Sequence, residues 1–236
     1  MRPGVLAALF ACAACSSPVD DAIPAAKAQA GAAAPVVIEL FQSQGCSSCP
    51  PANANVNALA ARADVLALSY AVTYWDHLGW KDTFARPEFT ERQRAYHRRG
   101  QSDGVYTPQV VINGRRALVG ANRASLARAL AAAGPVRGPS IRREGGEAVV
   151  GAGTGGPATV LVVTYDPRER KVAVKAGENT GRTLPHRNVV VDLREATVWT
   201  GKPLRVALPA PRDPGLRTAV LLQKGAGGPI VGAAKL

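Results

Sequence analysis

Two cysteines three residues apart stand where a wholly apolar strand gives way to a helix, and that junction restricts the folds open to the chain. Val36-Val37-Ile38-Glu39-Leu40-Phe41 is a nearly continuous apolar run with β-branched residues, which predicts a strand buried on both faces. Gln42–Gly45 breaks it, Cys46-Ser47-Ser48-Cys49-Pro50-Pro51 follows, and Ala52–Arg62 carries Val56, Leu59 and Ala60 at helical spacing. A second buried strand is expected over Val65–Val72. At a helix entrance, backbone N–H groups and the positive end of the helix dipole favour thiolate over thiol. A cysteine one turn further on can attack the first sulfur and close a disulfide.

That chemistry competes with others on the same residues. A structural zinc site needs two further ligands, and no second CxxC or CxxH exists beyond the N-terminal apolar run that holds Cys12 and Cys15. Two thiolates suit a cuprous ion, which His77 or His97 could join. An inert disulfide over so short a loop would add little stability. The redox reading leads because of what lies downstream. In Tyr106-Thr107-Pro108-Gln109-Val110-Val111-Ile112-Asn113-Gly114 a strand begins after Pro108 and turns at Asn113-Gly114, a strong hairpin signal. Its partner runs through Ala117–Val119, and Asn122 or Ser125 then caps a helix reaching Ala133, closed by Gly134-Pro135.

The order is then β-α-β, helical insert, β-β-α, which is the thioredoxin order. In such folds a cis proline precedes the third strand beside the CxxC and presents backbone to an extended substrate, and Pro108 looks like that residue. The stretch from Thr107 to Ala121 resembles the DsbA-type oxidoreductases. More closely, VIELFQSQGCSSCPPA, YWDHLGWKDTFARPEFTERQRAY and YTPQVVINGR resemble the secreted bacterial family known as domain of unknown function 1223, strongly over 36–133 and weakly through HRNVVVDL and GGPIVGAAKL. The resemblance implies a thioredoxin-like fold and supplies no substrate. One departure from thioredoxin matters: Pro50 and Pro51 follow Cys49 directly and lack N–H groups, so Cys46 is expected to be less well capped than usual.

Between the two motifs lies an aromatic insert. Trp75-Asp76-His77-Leu78-Gly79-Trp80-Lys81-Asp82 is too rich in turn residues for a simple helix, while Pro87–Arg98 reads as one. Its aromatics suit a helical layer covering the sheet. They also suit a substrate wall of Trp75, Trp80, Tyr106 and Thr107 facing Cys46. Asp76 is then a candidate for proton handling, and so is Glu39, a carboxylate inside an apolar strand that could take a proton from Cys49.

Met1-Arg2 followed by the apolar run Gly4–Ala14 reads as a signal peptide over residues 1–15. Leu9-Phe10-Ala11-Cys12-Ala13-Ala14-Cys15 resembles a lipoprotein box, with Cys15 at the better distance and Cys12 behind the more usual residues. Lipidation at Cys15 is the expectation over plain cleavage. Residues 16–35, rich in Pro, Ala and Ser, read as a tether. Residues 36–134 form the expected thioredoxin-like domain. From 135 to 236 the pattern changes to short β-branched runs, namely Val160–Tyr165, Val172–Lys175, Val189–Leu193, Leu204–Leu208 and Ala219–Gln223. These predict a mostly antiparallel β-sandwich domain without a visible site, with His186-Arg187 in a loop.

The formal net charge of +12 divides as 0, +4 and +8 over residues 1–35, 36–133 and 134–236. The basic excess and the aromatics therefore lie in different halves, the opposite of a nucleic-acid-binding surface, and nucleic acid is not an expected partner. The combined expectation is an α/β protein, exported to the periplasm or anchored by lipid at a membrane. It would act as a thiol–disulfide oxidoreductase on protein substrates with a redox partner, through Cys46, Cys49 and Pro108, with no cofactor and no metal. A copper-binding protein and a redox-inactive adaptor are the alternatives.

Overall fold

The structure, a computed structural model, describes Met1, residues 34–210 and residues 212–236. The expected signal peptide, Cys12, Cys15 and nearly all of the tether lie outside the described residues. In chain order the elements are β1 (Val36–Gln42), α1 (Cys49–Leu59), β2 (Val65–Ala71), α2 (Pro87–Arg98), β3 (Gln109–Ile112), β4 (Arg116–Leu118) and α3 (Arg123–Ala133). There follow β5 (Ile141–Glu144), β6 (Glu147–Val150), β7 (Ala158–Asp166), β8 (Arg170–Ala173), β9 (Thr183–His186), β10 (Val189–Trp199), β11 (Leu204–Ala207), β12 (Arg217–Gln223) and β13 (Ile230–Lys235).

Local signals place the first half much as expected. Pro87 opens α2, where a missing N–H costs nothing. Asn122 accepts from the Ser125 N–H at 2.9 Å and caps α3. Asn113 and Gly114 take left-handed backbone angles in the β3–β4 turn, where a Cβ on Gly114 would stand 2.5 Å from the Gly228 carbonyl oxygen. Helix α1 begins at Cys49, earlier than the predicted Ala52, because Pro50 and Pro51 fit the first helical turn with their fixed φ.

The second half is not a separate sandwich. Its strands continue the first sheet, giving one eight-stranded mixed sheet in the order β13-β12-β7-β10-β2-β1-β3-β4. The expected boundary at 134/135 thus separates elements that one sheet joins. Strands β1 and β2 are parallel, while β3 runs antiparallel to β1. The joint between halves is short: Val189 of β10 lies beside Ser69 of β2. Asn188 secures it, accepting from the Ser69 N–H at 2.9 Å and donating from Nδ2 to the Ala67 carbonyl at 2.8 Å.

About this joint the sheet curls until its two halves face each other. A single core cluster joins Val37, Leu66, Leu68, Tyr70 and Val111 of the first half to Leu161, Val163, Ala219 and Leu221 of the second. The Ile230 N–H reaches the Asn113 carbonyl at 3.0 Å across the gap. Side chains alternate in direction along each strand, so the outer faces carry separate clusters. Ile38, Leu40, Ala67 and Val110 pack under α1 and α3 with Ala52, Val56, Leu126 and Leu130. Val160, Val162, Val220 and Leu222 pack under a three-stranded sheet of order β11-β6-β5, around the fully buried Trp199. The inner core is therefore enclosed by strands from both halves of the chain.

Glu39 points into the inner core, and α1 lies on the opposite face of β1. Its Oε1 accepts from Arg92 Nε at 2.6 Å, its Oε2 accepts from the Tyr96 hydroxyl, and Arg92 Nη1 donates to Gln223 Oε1 at 3.0 Å. Strand β1, helix α2 and strand β12 are thus tied by one buried ion pair with its remaining polar atoms satisfied. Glu39 cannot serve Cys49 from there, which corrects its assignment as an acid/base group. Removing one partner strands the other charge in the core. Arg92→Ala or Glu39→Gln is expected to lower unfolding stability by about 3–5 kcal/mol, read from urea denaturation midpoints.

Candidate functional site

Cys46 and Cys49 form a disulfide at the entrance of α1, with Cα atoms 5.5 Å apart. Both residues are fully buried, whereas Ser47 and Ser48 between them are exposed. The local backbone is a tight turn in which the Cys49 N–H donates to the Cys46 carbonyl at 3.2 Å. Ser48 Oγ lies 3.3 Å from Cys46 Sγ and donates to the Thr107 carbonyl at 3.3 Å. The Thr107–Pro108 peptide is cis. The two motifs, about sixty residues apart in the chain, are therefore in direct contact.

The insert builds the next layer. Trp75 Nε1 donates to Thr107 Oγ1 at 2.7 Å, and Trp80 Nε1 donates to Gln44 Oε1 at 2.8 Å. A Cβ on Gly45 would lie 3.3 Å from that of Trp75, so only glycine allows this approach without displacing a neighbour. Tyr106 joins through its carbonyl, which accepts from Gln93 Nε2 at 2.7 Å. Asp76 does not reach the cysteines. Its Oδ1 accepts from the Asp82 N–H at 3.1 Å and braces the loop.

Asp82 was not singled out from the sequence, although its place ahead of Phe84 in a turn was a signal. It is buried, accepts from the Gln44 N–H at 2.7 Å and the Phe84 N–H at 2.9 Å, and so fixes the approach to Cys46. Burial pushes its carboxyl up to about 6, against the two backbone bonds that hold it down. Phe84 meets His186 edge to face, with ring centroids 5.6 Å apart. His186 was expected in a loop; it ends β9, is buried, and neither ring nitrogen has a partner. Burial alone lowers it to about 4.

The second half contributes the cover over the cysteines. Strands β8 and β9 form a hairpin against α1, where Asn57 Nδ2 donates to the Pro185 carbonyl at 2.9 Å. At its tip Asn179, fully buried, donates from Nδ2 to the carbonyls of Gln44 at 2.9 Å and Cys46 at 2.8 Å. Glu178 Oε2 accepts from the Ser47 N–H at 2.9 Å and from Ser47 Oγ at 2.7 Å. No local motif marks these two residues, since Gly177–Gly181 reads only as a turn.

The candidate metal ligands stand apart. His77 is exposed with Nδ1 2.8 Å from the Tyr74 carbonyl oxygen, and His97 Nδ1 lies 2.9 Å from that of Ser102. Among the described residues no three His, Cys, Asp or Glu side chains converge as a metal site. No described helix is long and apolar enough to cross a membrane.

This is a mixed α/β protein with a covered CxxC disulfide facing a Thr-Pro turn. Residues 37–223 match the family described as Protein of unknown function (DUF1223), and the chain belongs to that family. It is similar to the crystal structure of protein AGR_C_4864 from Agrobacterium tumefaciens at 38% identity and a TM-score of 0.72, covering 86% of this chain and 94% of the other. HBP35 of Porphyromonas gingivalis shares the fold at 11% identity and a TM-score of 0.55, covering 86% and 75% of the two chains. Among curated proteins no relative matches.

Asp82 and His186 give opposite pH dependences. The raised Asp82 group contributes stability that is full below pH 3.8 and lost as pH rises through about 6. The depressed His186 contributes stability lost as pH falls from 6.5 through about 4. Each difference is worth about 3 kcal/mol at full extent. Urea titrations of His186→Leu from pH 4 to 7 are therefore expected to leave only a decline with rising pH, and those of Asp82→Asn only a decline with falling pH.

Proposed function

We propose that the protein is an exported thiol–disulfide oxidoreductase acting on protein substrates through Cys46 and Cys49. The contact of Ser48 with both Cys46 Sγ and the Thr107 carbonyl carries this reading. It brings the reactive pair and the substrate-holding turn to one place, as the chemistry requires. The order β1-α1-β2-α2-β3-β4-α3, with parallel β1 and β2 and antiparallel β3 and β4, supports a thioredoxin-like arrangement for residues 36–134. Cys46 attacks a substrate sulfur and Cys49 resolves the mixed disulfide. Thr107 and Pro108 hold the substrate chain, and Trp75 and Trp80 supply its apolar wall. No organic cofactor is needed. The leader at residues 1–15 supports export, with Cys15 as the lipidated residue.

Full burial of both cysteines favours one other reading, an adaptor in which the pair serves only as a crosslink. Cys49→Ser separates the two. Under the redox reading it accumulates mixed disulfides with substrate proteins in cells, visible as thiol-sensitive adducts on non-reducing gels and absent from the Cys46→Ser, Cys49→Ser double variant. An adaptor yields none, and its Cys46→Ala variant retains the cellular phenotype.

A further inference from the structure

The oxidoreductase reading leaves open which way electrons run, and the helix entrance carries information on that point. A dithiol couple becomes oxidising when the reduced form is stabilised, chiefly by N–H donors that hold the first cysteine as thiolate. Here the donors at Ser47, Cys49, Pro50 and Pro51 are withheld, which leaves Ser48, whose hydroxyl lies 3.3 Å from Cys46 Sγ. The Ser47 N–H and Oγ–H are both committed to Glu178 Oε2, at 2.9 and 2.7 Å. The Cys49 N–H is committed to the Cys46 carbonyl. Pro50 and Pro51, at the next two positions of α1, have no N–H to offer. The group that takes the Ser47 donors is also an anion placed at the positive end of the helix dipole, where it opposes a second negative charge.

On this basis, and resting on the proposed function, we infer that Glu178 is a positioning residue which, with Pro50 and Pro51, makes the Cys46–Cys49 pair a reductant of protein disulfides rather than an oxidant of thiols. The hairpin tip is built to hold the carboxylate in place. Asn179 anchors it to the Gln44 and Cys46 carbonyls, and Arg182 Nη1 donates to Asn179 Oδ1 at 2.7 Å. Gly177, at φ 79°, supplies the left-handed backbone from which the tip turns toward the cysteines. None of these bonds involves a sulfur atom. The two Ser47 bonds hold the Glu178 carboxyl below its usual range, and it stays charged at neutral pH.

In the forward direction the Cys46 thiolate attacks one sulfur of a substrate disulfide, forming an intermolecular S–S bond and releasing one substrate thiolate. The Cys49 thiolate then attacks Cys46 Sγ, closing the internal disulfide and releasing the second. Two electrons pass to the substrate, and the two protons lost by the cysteines finish on its two thiols. A dithiol protein or small dithiol reductant restores the pair.

The test uses the full chain in glutathione buffers, with the pH profile of iodoacetamide alkylation at Cys46 in the reduced protein. The wild type is expected to stay mostly oxidised in an excess of reduced over oxidised glutathione. Glu178→Gln keeps an acceptor for the Ser47 N–H but removes the charge. It should shift the equilibrium about tenfold toward the dithiol, or about 30 mV, and move the alkylation midpoint to lower pH. Glu178→Asp should stay near wild type. Pro51→Ala, which returns an N–H to the first turn without touching the hairpin, should shift both readouts in the same direction as Glu178→Gln. A wild type that is mostly reduced in those buffers, or a Glu178→Gln couple and alkylation midpoint equal to wild type, overturns this inference while leaving an oxidoreductase. Absence of any reversible two-electron couple in the wild type overturns the oxidoreductase reading itself.

Discussion

The buried bridge from Glu39 through Arg92 to Gln223 is the interaction on which the architecture turns. It crosses the space enclosed by the curled sheet and joins β1, α2 and β12, elements that lie far apart along the sheet. Apolar contacts alone would let the two facing halves slide, because burial of apolar surface is non-directional. A fully bonded ion pair in the same core fixes register, since any displacement leaves a buried charge unsatisfied. The Asn188 joint and the Ile230–Asn113 bond hold the margins of the same enclosure.

What was legible in the sequence was local. The CxxC, the Thr-Pro, the Asn-Gly turn, the Pro87 start of α2 and the Asn122 cap all act through neighbours a few residues away, and each is found in place. The continuous apolar runs of β1 and β2 were correctly read as buried on both faces. Helices α1 and α3 cover one face and Phe89 and Tyr96 of α2 pack on the other, as a helical layer should, but strands of the second half share that inner face, which the sequence did not reveal. Strand β13, with Gly232, Ala233 and Ala234, and strand β5, with Arg142 and Arg143, lack the apolar alternation that reveals a strand. Strand β10 runs past its predicted end at Leu193 because its later residues are paired along β7 while largely facing outward.

The site divides in the same way. Cys46, Cys49, Thr107, Pro108, Trp75 and Trp80 announced themselves by residue type and spacing. Glu178 and Asn179 did not, because their partners lie 131 to 135 residues earlier in the chain and a turn sequence carries no record of what it will touch. Glu39 misled for the opposite reason. Its oddity in an apolar strand was real, but strand alternation sent it to the face away from α1, where Arg92 rather than a thiol accounts for it.

The long span between Ser47 and Glu178 also orders events in time. A chain that emerges from its N-terminus presents both cysteines, and has room to fold the strands around them, well before the hairpin that shuts over them has been made. The thiols therefore pass through a naked interval at the start of the protein's life. The oxidation state in which they are first enclosed is set by whatever they meet during that interval, before any exchange by the folded protein.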